Sequence, residues 1–129
     1  MATILVIDDE ILIRRFVAKN LTGRGYEVYE AGDAEQGLDV LRTRAVDAVL
    51  LDIKLPGMDG WEFLDVLAAD NTLSHIPVVI ITGTMLFNEV NEHHYPNVVN
   101  VLIKPLIVQQ LLDGITQALG RSQSADQLS

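Results

Sequence analysis

Ala48-Val49-Leu50-Leu51-Asp52 is a short apolar run that stops at an acid, and a similar pattern occurs three more times along the chain. The other runs also end on polar residues: Thr3 to Ile7 before Asp8-Asp9, Val78 to Ile81 before Thr82, and Val101 to Ile103 before Lys104-Pro105. If these runs are parallel strands, their polar residues meet at the carboxyl edge of one sheet, where ligands bind in open α/β folds. The pattern therefore predicts a crevice that holds three carboxylates, one hydroxyl and one ammonium.

Composition limits the class of protein. The chain has 129 residues, no cysteine, 49% hydrophobic residues and a formal net charge of -9. Its length suits one domain, and its apolar content argues against disorder. The longest apolar run is too short to cross a bilayer, so we expect no membrane insertion. The negative charge argues against direct binding of nucleic acid. The lack of cysteine and of a signal peptide fits a cytoplasmic protein.

Strand-like and helix-like segments alternate. Apolar residues at helical spacing follow the first strand and end at Leu21, ahead of Gly23. Asp33, with Gln36 three residues later, is typical of a helix start. A weaker helix is predicted from Met85 to His94, and a last helix follows Pro105.

Five βα units with apolar strands predict an α/β fold with both faces of the sheet covered. The expected architecture is a doubly wound five-stranded parallel sheet of order 2-1-3-4-5, the flavodoxin-like (βα)5 arrangement. Its switch point lies between strands 1 and 3, which end on acids. We expect one domain over residues 1–119 and a polar, disordered tail over residues 120–129.

The predicted crevice suits phosphoryl chemistry. Two unit charges 4 Å apart interact by ~4 kcal/mol at an effective dielectric near 20, so clustered acids need a cation or shared protons. Oxygen ligands without thiolate or imidazole favour Mg²⁺ over zinc. Lys104 and Thr82 can hold the oxygens of a phosphoryl group, and Asp52 can attack its phosphorus as a nucleophile.

These residues resemble the receiver domain of two-component response regulators. The resemblance implies that Asp52 is the phosphoacceptor, Thr82 the switch hydroxyl and Lys104 the phosphate-binding cation. It also implies that Mg²⁺ is bound by Asp8, Asp9, Asp52 and the backbone carbonyl of Lys54, with Asp9 more direct a ligand than Asp8. The implied partner is a sensor histidine kinase or a histidine phosphotransfer protein, with a downstream effector that the sequence does not identify. The Lys104-Pro105 peptide is expected to be cis, as in similar domains. The motifs that carry the resemblance are Val6-Ile7-Asp8-Asp9-Glu10, Leu50-Leu51-Asp52, Leu55-Pro56-Gly57-Met58-Asp59-Gly60, Thr82 and Lys104-Pro105.

The chain departs from the receiver pattern at three places. Val101 stands where the family usually has an aromatic residue, Gly83 where it usually has alanine, and Asn97-Val98 where it usually has a Gly-Ala pair. These departures concern how phosphorylation is read out. They leave open a binding module of the same fold that works without phosphorylation.

A phosphatase with an aspartyl nucleophile is the enzymatic alternative. Such hydrolases usually carry a second Asp two residues after the first, and here that residue is Lys54. We therefore expect chemistry limited to the chain's own phosphorylation and dephosphorylation. The resemblance also implies that partners are recognised largely by the first helix, where Ile11, Leu12 and Arg15 are candidates. Asp59 is predicted to cap a helix, and His93-His94 to lie at a solvated helix end.

Overall fold

A computed structural model describes residues 1–83 and 95–128, with side chains described as far as Gly120. Alternating strands and helices make up these ranges, as the sequence predicts. The strands are β1 (Thr3–Ile7), β2 (Glu27–Ala31), β3 (Ala48–Asp52), β4 (Val78–Thr82) and β5 (Val98–Ile103). The helices are α1 (Ile11–Thr22), α2 (Ala34–Thr43), α3 (Gly60–Ala68) and α4 (Val108–Leu128).

The five strands form one parallel sheet in the order β2-β1-β3-β4-β5, which confirms the predicted fold class. The register keeps the carboxyl ends of the strands almost level. Ile7 pairs with Leu51, Asp52 with Ile81, and Thr82 with Ile103. The polar residues that follow these strands therefore emerge at one edge.

Both faces of the sheet are buried, which explains the almost continuous apolar strands. Alternate residues point to opposite faces. Leu5 and Leu51 pack on one face with α2 and α3, whereas Val6 and Leu50 pack on the other face with α1 and α4. Every residue of β3 is buried.

Side-chain caps fix the starts of two helices. Asp33 Oδ1 accepts a hydrogen bond from the Gln36 N–H at 2.8 Å, and Asp59 Oδ1 accepts one from the Glu62 N–H at 2.9 Å. Each cap satisfies a backbone donor that would otherwise lack a partner within its helix. Both predicted caps are confirmed, and α1 ends at Thr22 with Gly23 as its cap.

The last helix, α4, runs in its backbone to Leu128. The domain limit at Leu119 and the tail over residues 120–129 stay predictions. The predicted helix from Met85 to His94, with its two histidines, lies outside the described residues.

No helix in the described ranges is long and apolar enough to span a membrane.

Candidate functional site

The turn after β1 fixes Asp8 through its main chain and its side chain. Asp8 is fully buried. Its N–H donates to the carbonyl of Ala31, and its Oδ1 accepts from the Glu10 N–H at 2.8 Å. The Arg14 guanidinium donates to the Asp8 carbonyl at 2.7 Å and pairs with Glu30 at 3.4 Å. The main chain of Asp8 is therefore held at both its N–H and its carbonyl, and its carboxylate is oriented by the Glu10 N–H.

The loop after β3 fixes Asp52 in the same way. Asp52 is 4% exposed, and its Oδ1 accepts from the Lys54 N–H at 3.0 Å. The next helix is drawn in close to this loop, because the Gly60 N–H donates to the Ile53 carbonyl at 2.8 Å. A Cβ on Gly60 would lie 2.7 Å from Ile53 Cα and 3.0 Å from the carbonyl oxygen of Asp52. Gly60 thus permits a close approach that no other residue allows.

Lys104 reaches the acids from the end of β5. Its backbone N–H donates to the Thr82 carbonyl at 2.7 Å, and the Lys104-Pro105 peptide is cis, as predicted. Its ammonium lies 2.9 Å from Asp8 Oδ2, 3.1 Å from Glu10 Oε1 and 3.2 Å from Asp52 Oδ2. One lysine therefore joins the ends of β1, β3 and β5.

The charges of the site perturb one another. Burial lowers the pKa of Lys104, but the close carboxylates of Asp8 and Glu10 and the negative charge of Asp52 outweigh this effect, so the net pKa is well above the ordinary 10.5. Burial raises the pKa of Asp8 above its ordinary 3.8; the Glu10 N–H and Lys104 oppose this rise only in part. Lys104 is thus a fixed cation, and Asp8 a carboxylate whose charged form is under strain.

One oxygen of Asp8 lacks a hydrogen bond. Asp8 Oδ2 is buried and accepts none from any described residue, although Lys104 Nζ lies 2.9 Å away. The ammonium neutralises this oxygen by proximity, without the alignment that a hydrogen bond requires. A buried carboxylate oxygen in this state is suited to a cation as an additional partner.

Four acids could bind a divalent cation together. Asp8, Asp9, Glu10 and Asp52 each offer a carboxylate oxygen, and these oxygens lie within 4.8 Å of one another. Asp8 and Asp52 are buried, whereas Asp9 and Glu10 are exposed. Carboxylate oxygens, with space for water on one side, are the ligands that Mg²⁺ prefers.

The structure brings most of the predicted site residues together. Asp8, Asp52 and Lys104 are in direct contact, and Asp9 lies in the acidic cluster. Thr82 is fully buried at the end of β4, where its carbonyl binds the main chain of Lys104. The backbone N–H of Lys54 donates a hydrogen bond to Asp52. The carbonyl of the same residue is the group predicted to bind Mg²⁺.

Two residues that contact the site were not predicted from the sequence. Glu10 contacts Lys104, and Arg14 supports the turn of Asp8. The sequence carries a signal for Glu10, since it directly follows the two predicted acids. Arg14 carries none, because a basic residue on an amphipathic helix usually faces solvent.

The sequence of the chain matches those of known receiver domains. Residues 4–116 match the family model of the response regulator receiver domain. Sporulation initiation phosphotransferase F of Bacillus subtilis is 29% identical over 116 residues, which are 90% of this chain and 92% of that protein. The probable transcriptional regulator ycf29 of Cyanophora paradoxa is 29% identical over 121 residues, which are 94% of this chain, and the chain spans only 58% of its length.

The fold agrees with the sequence match. A structure of the chemotaxis protein CheY4 of Vibrio cholerae superimposes with a TM-score of 0.86 at 28% identity, covering 92% of this chain and 99% of that one. The family match extends from β1 into α4 and includes every residue of the acidic cluster and Lys104. The chain belongs to the response regulator receiver domain family.

Proposed function

We propose that this chain accepts a phosphoryl group on Asp52, with Mg²⁺ bound beside it, and that phosphorylation changes which partners it binds. Receiver domains in general act with histidine kinases or histidine phosphotransfer proteins, so the proposed donor is a phosphohistidine on such a partner. One observation carries the proposal: the buried carboxylates of Asp8 and Asp52 both lie within 3.2 Å of the Lys104 ammonium. Burying charged groups costs free energy, and such groups are typical of functional sites.

The transfer step follows from this geometry. A carboxylate oxygen of Asp52 forms a bond to phosphorus, and the bond between phosphorus and the donor imidazole nitrogen breaks. The electron pair stays on the imidazole, which takes up a proton from solvent. Lys104 binds one phosphoryl oxygen, and the Thr82 hydroxyl binds another. The chain contributes mainly positioning and positive charge, as expected for phosphoryl transfer.

The acidic cluster fits Mg²⁺. The proposed ligands are Asp8, Asp9, Asp52 and the carbonyl of Lys54; their support is the orphan Oδ2 of Asp8 and the four oxygens within 4.8 Å. When bound, the cation would offset the charge that a phosphoryl group adds to this cluster. Of the three aspartates, Asp8 and Asp52 are buried and Asp9 is exposed.

The two alternative functions have less support. A phosphatase needs a second acid near Asp52, but the residue at the expected position is Lys54, which is exposed. Receiver domains are generally not conventional enzymes, and we propose chemistry limited to Asp52 itself. A binding module that works without phosphorylation would not need the buried charge of Asp8, whose pKa is raised by burial. The proposal keeps the predicted domain limits and the cytoplasmic location.

Labelling with acetyl phosphate tests the assignment. The wild-type chain with Mg²⁺ should gain the mass of one phosphoryl group, and the gain should disappear with EDTA. Asp52→Asn should show no gain. Asp39→Asn is the matched control, because Asp39 is an exposed aspartate on α2, and it should be labelled like the wild type. Undiminished labelling of Asp52→Asn would overturn the assignment.

A further inference from the structure

Glu10 contacts Lys104, the residue proposed above to bind a phosphoryl oxygen. Among the described residues, three carboxylates lie within 3.2 Å of the Lys104 ammonium: those of Asp8, Glu10 and Asp52. Their negative oxygens already crowd the ammonium at contact distance. Another anion can therefore approach Lys104 closely only if one of these carboxylates withdraws.

The three carboxylates differ in how easily they can withdraw. Asp8 and Asp52 have side chains that are 0% and 5% exposed, and each has its other oxygen tied to a backbone N–H. The Glu10 side chain is 59% exposed and reaches Lys104 from the start of α1. Water can solvate its carboxylate as soon as it leaves, whereas the two aspartates would stay buried and unpaired.

We propose that Glu10 is a displaceable carboxylate that occupies the phosphoryl position on Lys104 and competes with the incoming anion. The inference rests on the proposed function of Asp52. It assigns Glu10 the role of limiting how readily an anion reaches Lys104. A part-exposed ion pair of this kind corresponds to a factor of up to about five in an equilibrium constant.

Beryllofluoride, which mimics a phosphoryl group, provides the test. Its binding to the intact chain is measured by fluorine NMR at saturating Mg²⁺. Glu10→Gln keeps the size of the side chain and removes its charge, so it should bind beryllofluoride up to about fivefold more tightly. Glu62→Gln is the matched control, because Glu62 is an exposed acid in the first turn of α3. It should behave like the wild type.

A second measurement needs neither metal nor anion. The ammonium signal of Lys104, followed by nitrogen NMR in EDTA, should shift in Glu10→Gln and stay in place in Glu62→Gln. This readout reports on the contact itself and not on the folding of the chain.

The outcomes separate the two proposals. If the wild type binds no beryllofluoride, the proposed function fails, and this inference fails with it. If the wild type binds and Glu10→Gln binds equally well or more weakly, only the role of Glu10 is overturned. Weaker Mg²⁺ binding by Glu10→Gln would instead make Glu10 a cation ligand and would also contradict the proposed competition.

Discussion

Replacing Lys104 with methionine should destabilise the metal-free protein by about 3 kcal/mol at pH 7. Methionine keeps much of the apolar stem and removes the charge. Asp8 and Asp52 then remain buried without their cation, and removal of one partner from a buried ion pair typically costs about 3–5 kcal/mol. Glu10 adds little to the loss, since its side chain is 59% exposed.

Protonation sets an upper limit to this loss. The folded chain can escape the repulsion by taking a proton on Asp8, whose ordinary pKa is 3.8. Relative to the unfolded chain at pH 7, this proton costs about 4 kcal/mol, at about 1.4 kcal/mol for each pH unit. The deficit should therefore shrink as the pH falls towards 4.

Urea unfolding, followed by the fluorescence of Trp61, measures the effect. Trp61 is the single tryptophan and stacks on Tyr95 with ring centroids 6.1 Å apart. The unfolding is compared in EDTA and in Mg²⁺, which should restore about 1.4 kcal/mol at a concentration tenfold above its Kd. Lys19→Met, at an exposed position on α1, should change stability by less than about 0.5 kcal/mol.

The reasoning would be refuted by a Lys104→Met protein that matches the wild type in EDTA at pH 7. That result would mean that the buried acids do not depend on the lysine for neutralisation.

Two further predictions concern pH and packing. Because burial raises the pKa of Asp8, the native state binds its proton more tightly than the unfolded state, so this group lowers stability as the pH rises from 3.8 through its folded pKa. The urea concentration at the unfolding midpoint, measured between pH 3 and 7, should therefore increase for Asp8→Asn relative to the wild type as the pH rises. A difference that stays constant with pH would contradict this. Gly60→Ala should lower stability by about 1–3 kcal/mol, because its Cβ would lie 2.7 Å from Ile53 Cα. In contrast, Gly114→Ala meets Leu102 at an ordinary 3.6 Å and should leave the melting temperature unchanged or higher.

The fold could be predicted from the sequence because its main signals are local. Each strand is an apolar run with a polar stop, and parallel pairing with right-handed crossovers leaves few arrangements. The same rules bring Asp8, Asp52 and Lys104 to one edge without knowledge of any distance. Asp33 and Asp59 were predictable as caps because capping depends on residues three apart.

The missed features depend on contacts between distant segments. The bond between Arg14 and the carbonyl of Asp8 requires the exact rotation of α1 against β1, which apolar spacing does not define. The close approach at Gly60 depends on how α3 meets the loop after Asp52.

Exposure divides the acids of the site into two kinds. Asp8 and Asp52 are buried and continue β1 and β3, so their positions are set by the sheet. Asp9 and Glu10 are exposed and lie on the turn between β1 and α1, where a change of rotamer costs little. The buried pair can therefore define the geometry of a reaction, while the exposed pair adjusts to the charge that enters. The raised pKa of Asp8 is a consequence of its burial, and the same burial keeps its carboxylate in a fixed position. If Asp8 could move, the strain would be relieved, but the site would lose the fixed carboxylate on which the proposed binding of Mg²⁺ depends.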